Sequence, residues 1–232
     1  MSDAPVEIRA RVARVCERIA AAAARAGRRP EEIRLVAVAK LVKAERVQEA
    51  IAAGVTDIAE NYVQEAAAKR EQIPDPVRWH LIGHLQSNKA AKAVSIFDIV
   101  HTVDSPRIAR ALGGEATEAG RTLEVLLQVN TSGEGTKSGI APEEADRLLE
   151  AVAAVEGLRV RGLMTIGRWD PDPEKARGEF RLLAGLARDL EGRFGLDLSW
   201  LSMGMSHDFE VAIEEGATVV RVGTGIFGPR PG

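Results

Sequence analysis

The sequence predicts an α/β fold, a closed (β/α)8 barrel of the TIM type with an extra helix at its N-terminus. Strand-like and helix-like segments alternate along nearly the whole chain, and about eight of them are strand candidates. Strict alternation favours parallel strands joined by right-handed crossovers, and eight such units close a barrel. With 232 residues and 45% hydrophobic content, the chain can bury one large core. We therefore expect residues 1–232 to form a single domain.

The individual elements follow in chain order. The first is a helix over 7–26, rich in Ala and Arg, which Gly27 ends. Short apolar runs predict the strands, and the longer segments between them predict the helices. The predicted strands are 35–39, 57–59, 79–82, 99–102, 123–129, 159–164, 197–202 and 218–222. The predicted helices between and after them are 44–53, 63–72, 87–94, 105–119, 142–155, 173–193 and 207–215.

An open, doubly wound sheet is the alternative architecture. Such a sheet carries a Gly-x-Gly-x-x-Gly turn after its first strand, where it binds a dinucleotide. Here the sequence Lys40-Leu41-Val42-Lys43 occupies that turn. The barrel is therefore the favoured interpretation.

Composition excludes several classes of function. The net charge is -3 and no basic stripe with interleaved aromatic residues is present, so we expect no nucleic-acid partner. No apolar stretch reaches the roughly 20 residues that span a membrane, and the N-terminus lacks the apolar segment of a signal peptide. The single cysteine, Cys16, cannot form an internal disulfide. We expect a cytoplasmic monomer that does not bind membranes.

Lys40 is the first candidate site residue. It ends the apolar run LVAVAK at 35–40, so the first strand delivers its amine to the point where the strand stops. Burial favours the neutral form of an amine, and a neutral amine is a nucleophile towards carbonyl groups. The alternative is a solvated lysine at the rim of the barrel.

The ends of the other strands carry further candidates, because barrel enzymes build their sites at the C-terminal ends of the strands. The strand ends are polar or glycine-rich almost throughout, whereas strand ends that only close a core need no such bias. The segments selected in this way are Lys40, Glu60-Asn61-Tyr62, Gly83-His84, Val103-Asp104-Ser105, Asn130, Met164-Thr165, Met203-Gly204-Met205-Ser206 and Gly223-Thr224-Gly225.

The last two of these segments predict an anion site. They follow the seventh and eighth strands, where barrels often bind phosphate with backbone N–H groups and closely approaching glycines. Ser206 is the expected N-cap of the helix after the seventh strand. The alternative is that Gly223, Gly225 and Gly228 only close the barrel and form a turn.

Arg221 lies two residues before Gly223 and shares a strand face with Val219 and Gly223. If that face points into the barrel, the guanidinium is a buried cation that needs acceptors. One interpretation is a structural ion pair with an acid at a strand end, such as Glu60. The other is a donor to a ring atom of a ligand.

Two motifs are misleading. Residues 133–139, GEGTKSG, resemble a nucleotide-binding loop, but the order Gly-Thr-Lys-Ser is wrong and the upstream glycine is misplaced. His80 and His84 are four residues apart, a metal-binding spacing on a helix, yet 79–84 reads as a strand without further ligands. We expect no metal, a buried structural role for His80, and a place for His84 at the barrel mouth.

Seven segments together resemble the pyridoxal phosphate homeostasis proteins, whose fold is similar to the barrel domain of bacterial alanine racemase. They include ENYVQE at 60–65, WHLIGHLQSNK at 79–89, LSMGMS at 201–206 and VRVGTGIFG at 220–228. The others are 35–40, 103–105 and 162–164. The resemblance runs over about residues 6–230.

The resemblance implies roles for the candidate residues. It implies that Lys40 forms the internal aldimine with pyridoxal 5'-phosphate (PLP) and that Arg221 faces the pyridine nitrogen. The residues that it implies for the phosphate are Met205, Ser206, Gly223 and Thr224, and those that it implies for the pocket wall are Asn61 and His84.

The chain departs from the family pattern around the lysine. Ala39 replaces the usual serine before it, and Leu41-Val42-Lys43 replaces Thr-Lys-Pro after it. Ala59 stands where the family has glycine. These differences concern the entrance loop and leave the lysine in place.

The resemblance implies a PLP carrier that buffers the cofactor and delivers it to PLP-requiring apo-enzymes, without robust catalysis. Beside the ring nitrogen, Arg221 cannot give up its proton, so the electron sink of the cofactor is weak. The second domain that supplies a tyrosine in alanine racemase is not expected in this chain. A PLP-dependent amino-acid racemase is the alternative function. A Schiff-base aldolase with a sugar-phosphate substrate is a third, and it predicts a colourless protein.

Ser206→Ala is expected to weaken PLP retention modestly. The substitution removes one hydrogen bond to the phosphate, which corresponds to roughly 1 kcal/mol of binding free energy. Titration of the purified variant with PLP, beside the unsubstituted protein, measures the change. Unchanged retention would remove Ser206 from the phosphate site.

Overall fold

The computed structural model describes residues 4–73, 76–135 and 138–229, and it confirms the closed barrel. Across these ranges, eight parallel strands pair in chain order, and the last strand closes onto the first. The strands are β1 Arg34–Val38, β2 Asp57–Glu60, β3 Arg78–Leu81, β4 Ile99–Val103, β5 Leu123–Gln128, β6 Leu158–Met164, β7 Trp200–Met205 and β8 Val219–Val222. The open doubly wound sheet is therefore excluded.

Helices surround the barrel on its outer side. In the described ranges they are α1 Ala4–Arg25, α2 Ala44–Ala52, α3 Val63–Arg70, α4 Ala90–Ile96, α5 Pro106–Glu118, α6 Ala145–Ala153, α7 Arg177–Phe194, α8 Phe209–Glu214 and α9 Thr224–Phe227. The predicted helices 87–94, 142–155 and 173–193 each begin with a short 3-10 turn, which is common at helix N-termini. None of the described helices is both long and apolar enough to cross a bilayer.

The extra N-terminal helix covers the closure of the barrel. Helix α1 packs against α2, α8 and α9, which flank the junction of β8 with β1. Arg18 pairs with Glu210 at 2.6 Å, and its guanidinium lies 4.5 Å from the centre of the Phe209 ring. Arg25 pairs with Glu214 at 2.7 Å. This helix therefore belongs to the barrel as an outer layer.

The apolar core has two separate parts. The larger part fills the layer between the sheet and the helices and includes Trp79, Phe97, Phe180 and Phe209, all without solvent exposure. Side chains alternate along each strand, so a second set points into the barrel. That inner set forms a small apolar cluster of Val36, Val38, Ala59 and Val219. Buried polar side chains of the strands include Asp57, His80, His101, Ser202 and Arg221.

The seventh strand differs from its prediction, because it begins at Trp200 and runs to Met205. Asp197 lies in the irregular segment before the strand, where its carboxylate accepts the Ser199 N–H at 3.2 Å. Gly204 adopts φ 87° within the strand, and an added Cβ would lie 2.6 Å from the Cβ of Ala212. Pairing with β8 shifts register between Ser202 and Met205 at this position. The strand is thereby extended to the cavity described below.

Two adjacent glycines of α5 allow a matched test of the packing. A Cβ on Gly113 would lie 2.2 Å from Val155 Cγ1 and 2.6 Å from the Glu156 carbonyl oxygen, whereas Gly114 has nothing within 4 Å. Gly113→Ala should therefore destabilise the fold by about 1–3 kcal/mol through overpacking. Gly114→Ala should stabilise it by up to about 1 kcal/mol through helix propensity. Urea unfolding measures both, and equal effects would contradict the packing described.

Candidate functional site

A cavity of about 370 Å³ opens at the C-terminal ends of the strands. This volume lies within the range of ligand pockets, roughly 300–1,000 Å³. All the predicted site residues except His84 line it. The lining residues are Val38, Lys40, Asn61, Ile82, Met164, Ile166, Trp169, Met205, Ser206, His207, Arg221, Gly223 and Thr224.

Lys40 follows the last residue of β1 by two positions and is half-buried in the cavity wall. Helix α3 holds the backbone on both sides of it. Lys69 Nζ donates to the Ala39 carbonyl oxygen at 2.7 Å, and the Leu41 N–H donates to Glu65 Oε2 at 3.3 Å. Glu65 and Lys69 are four residues apart, so both lie on one helix face. The peptide that presents the amine is therefore fixed by one helix.

The Lys69 amine that binds the Ala39 carbonyl is itself held by a buried ion pair. Lys69 Nζ donates to Glu60 Oε1 at 2.5 Å, and Glu60 has no solvent exposure. Burial raises the pKa of Glu60 above its usual value, although the hydrogen bond and charge of Lys69 oppose it. Glu60 pairs with Lys69, and Arg221 instead binds Ser202 and the Thr165 carbonyl oxygen, so the ion pair between Glu60 and Arg221 considered from the sequence is wrong.

Arg221 points into the barrel and reaches the floor of the cavity. It is 3% exposed, and it donates to Ser202 Oγ at 2.6 Å and to the Thr165 carbonyl oxygen at 2.8 Å. Burial lowers the pKa of Arg221 to about 10, and the charge of Asp208 opposes the shift. The guanidinium therefore remains a cation at neutral pH. These two bonds use two of its five N–H groups, which leaves donors for a ligand.

Ser206 connects the ends of β7 and β8. Its Oγ accepts the backbone N–H of Gly223 at 3.1 Å and that of Gly225 at 3.2 Å. A hydroxyl that accepts twice can still donate its own proton to an anion. An added Cβ on Gly223 would lie 3.4 Å from the Val38 carbonyl oxygen, so the backbones of β1 and β8 approach closely here. The phosphate site expected at this position stays a prediction.

The predicted N-cap role of Ser206 is wrong. Helix α8 begins at Phe209, and Asp208 precedes it. The Asp208 carboxylate accepts the Met205 N–H at 2.6 Å. Burial raises the pKa of Asp208, while this hydrogen bond and the charge of Arg221 oppose the shift. The Ser206 hydroxyl therefore does not cap α8, and it binds the loop after β8 instead.

Trp169 and His207 are among the wall residues that the sequence did not single out as site residues. Trp169 is 72% exposed, and its ring centre lies 6.5 Å from that of His207. His207 Nε2 lies 3.0 Å from the Asp170 carbonyl oxygen and 3.1 Å from that of Pro171. Trp169 lies in an irregular loop after β6, where no periodicity indicates a position. Their place beside the cavity follows only from the fold.

His84 is not among the described residues that line the cavity. Its side chain is 58% exposed, and its Nδ1 lies 3.7 Å from Asp104 Oδ2. Its role in the pocket stays a prediction. His80 is the buried structural histidine that was expected, with hydrogen bonds to Asp57 and His101. In the loop at 133–139, Thr136 and Lys137 lie outside the described residues.

Curated relatives match nearly the whole chain. The pyridoxal phosphate homeostasis protein of Pseudomonas aeruginosa is 46% identical over 220 residues, which are 94% of each chain. The chain belongs to the pyridoxal phosphate homeostasis protein family. The Escherichia coli member is 43% identical over 223 residues, 94% of this chain and 95% of its own. The alanine racemase N-terminal domain model matches residues 11–231 of this family member.

Solved structures share the barrel. PipY of Synechococcus elongatus PCC7942, with PLP bound, is 37% identical with a TM-score of 0.80, covering 92% of this chain and all 100% of PipY. A protein of Bifidobacterium adolescentis reaches 0.91 at 39% identity, covering 98% of this chain and 97% of its own. An alanine racemase of Clostridium difficile reaches 0.74 at 16% identity, covering 87% of this chain and 53% of the racemase. The racemase likeness concerns the fold alone.

Backbone strain beside Lys40 gives a testable consequence. Leu41 adopts φ 61°, a left-handed conformation, with its side chain 66% exposed. Leu41→Gly and Leu41→Ala both remove this side chain, but only glycine removes the Cβ that the conformation disfavours. The glycine variant should therefore be more stable than the alanine variant by about 1 kcal/mol. Thermal unfolding without PLP measures the difference, and an alanine variant of equal stability would contradict strain at Leu41.

Proposed function

We propose that this protein binds PLP covalently through Lys40 and acts in PLP homeostasis, as a carrier that buffers the cofactor and delivers it. The observation that carries the proposal is the convergence of three groups in one cavity. These groups are the Lys40 amine, the Ser206 hydroxyl with its bound backbone amides, and the buried Arg221 guanidinium.

The residues present fit the three chemical features of PLP. Its aldehyde matches the amine of Lys40, which condenses with carbonyl groups. Its phosphate matches the Ser206 hydroxyl and the closely packed Gly223. Its ring nitrogen matches an arginine that only donates hydrogen bonds. When bound, PLP supplies an electrophilic aldehyde and an electron-withdrawing ring.

The relatives support the same cofactor. The curated relatives carry the name pyridoxal phosphate homeostasis protein, and PipY was solved with PLP bound. Each of these relatives is matched over more than nine-tenths of its own length. Transfer of the binding function to this chain therefore involves the whole barrel, including both strands that carry the proposed phosphate site.

Arg221 also explains why we expect no robust catalysis. An arginine beside the ring nitrogen keeps that nitrogen unprotonated, which weakens the ring as an electron sink. Racemisation further requires a proton donor and a proton acceptor on opposite faces of the substrate. Tyr62 is 59% exposed and is not among the described residues that line the cavity. We therefore place storage and delivery of PLP ahead of racemisation.

Reduction with borohydride tests the covalent attachment. We expect a yellow protein and, after reduction and peptide mass mapping, a pyridoxyl group on Lys40. Lys40→Ala should abolish the label, because the amine is lost. Lys43→Ala should retain it, because Lys43 is an exposed residue at the start of α2 on the same loop. A colourless protein that takes up no added PLP would overturn the proposal.

An assay of alanine racemisation separates carrier from enzyme. The carrier interpretation expects no turnover above background by the PLP-loaded protein, together with reactivation of a PLP-requiring apo-enzyme. Racemisation well above background that is lost in Lys40→Ala would instead favour the racemase.

A further inference from the structure

Two histidines inside the barrel have no part in the proposed binding function. His80 of β3 and His101 of β4 are both 0% exposed. Their ring centres lie 5.1 Å apart with an interplanar angle of 62°. Barrel interiors are usually filled by branched apolar side chains. Polar rings at this depth cost stability unless each nitrogen has a partner.

Both histidines belong to one continuous series of hydrogen bonds that begins at Arg221. Arg221 donates to Ser202 Oγ at 2.6 Å, and His101 Nδ1 lies 2.9 Å from the same oxygen. His101 Nε2 lies 2.8 Å from His80 Nδ1, and His80 Nε2 lies 2.9 Å from Asp57 Oδ1. The series therefore runs from the floor of the cavity to the first residue of β2.

The two ends of this series fix its direction. An arginine can only donate hydrogen bonds, and an ionised carboxylate can only accept them. Asp57 also accepts from Arg34 at 3.1 Å and from the Thr56 hydroxyl at 2.7 Å, and Arg78 Nε lies 3.3 Å away. These partners hold it as an anion.

With an anion at this end, His80 must carry its proton on Nε2. If both rings are neutral, His80 Nδ1 then accepts from His101 Nε2–H, and His101 Nδ1 accepts from the Ser202 hydroxyl. Every donor in the series then points from Arg221 towards Asp57.

The protonation states agree with this arrangement. Burial holds the pKa of the His101 imidazole well below its usual range, with His80 and Arg221 acting in the same direction. Burial raises the pKa of Asp57, but the hydrogen bonds from His80 and Thr56 and the charge of Arg34 outweigh burial and lower the pKa overall. A neutral His101 and an ionised Asp57 are the states that the geometry requires.

We propose that Ser202, His101 and His80 are positioning residues that link Arg221 to Asp57 through one directed chain of hydrogen bonds. The chain orients the guanidinium at the floor of the cavity and gives this buried cation an indirect anionic partner. This inference rests on the proposed PLP function, because Arg221 is the residue that meets the ring nitrogen. Substitutions remote from the cavity should therefore alter the environment of the bound ring.

The first experiment uses the PLP-free protein and reads the histidine tautomers by ¹⁵N NMR, with His80→Gln and His101→Gln for assignment. We expect His101 to be neutral at pH 7, and we expect Nε2 of each ring to carry a proton. Asp57→Asn can donate to His80 and should give the opposite or a mixed tautomer at both rings. A proton on Nδ1 of His101, or a charged His101 at pH 7, would overturn the proposal. This outcome does not depend on PLP binding.

The second experiment measures the absorption spectrum and the PLP dissociation constant. Ser202→Ala cuts the chain and should shift the absorption maximum and weaken binding about three- to tenfold. Ser202→Thr keeps the hydroxyl and should restore both properties. Thr102→Val is the control. Thr102 neighbours His101, and the substitution removes a part-buried hydrogen bond of 2.8 Å from its hydroxyl to the Gly83 carbonyl oxygen, which is not part of the series between Arg221 and Asp57.

The outcomes of the second experiment separate the two proposals. Equal spectra for Ser202→Ala and Thr102→Val would overturn the positioning role. If the unsubstituted protein binds no PLP, the proposed function fails, whereas the tautomers measured in the first experiment still decide whether the directed chain exists.

Discussion

The pairing of β8 with β1 is the interaction on which the rest of the structure depends. It places Arg221 beside Val36 in the register and brings Gly223 against the Val38 carbonyl. Lys40 and the proposed phosphate-binding segment lie near opposite ends of the sequence, and only this closure makes them neighbours. Helix α1 packs over the same junction, so the additional helix stabilises the pairing that creates the cavity.

Closure also determines what the barrel interior must contain. A cation at the floor of the cavity requires acceptors, and the small apolar cluster around Val36 cannot supply them. Ser202 and the Thr165 carbonyl accept from Arg221 directly, and the two buried histidines extend the polar interior towards Asp57. The outer layer, with its large aromatic residues, is apolar and carries most of the packing. The barrel thus separates its stabilising core from its functional interior.

Much of this arrangement could be predicted, because parallel strands expose their C-terminal ends on one face. The lysine after the first strand and the arginine and glycines of the last strand could therefore be assigned before the structure was known. His84 shows the limit of the rule, since a residue at a strand end can still turn its side chain to solvent. Ser206 shows another limit. Its hydroxyl could cap helix α8 or bind the loop after β8. In the structure it accepts from the backbone N–H groups of Gly223 and Gly225 in that loop.

The sequence by itself determined the order of the elements, predicted their closure into a barrel and singled out Lys40 as the candidate amine, because these follow from local periodicity and motif. Only the tertiary structure decided which acid meets which base. Lys69 rather than Arg221 binds Glu60, and Arg221 reaches Asp57 only through Ser202 and two histidines. The physical reason is that hydrogen-bond partners are selected by distances of about 3 Å between strands remote in sequence. Periodicity along one strand gives the face of a side chain, whereas its partner depends on register and on the closure of the barrel.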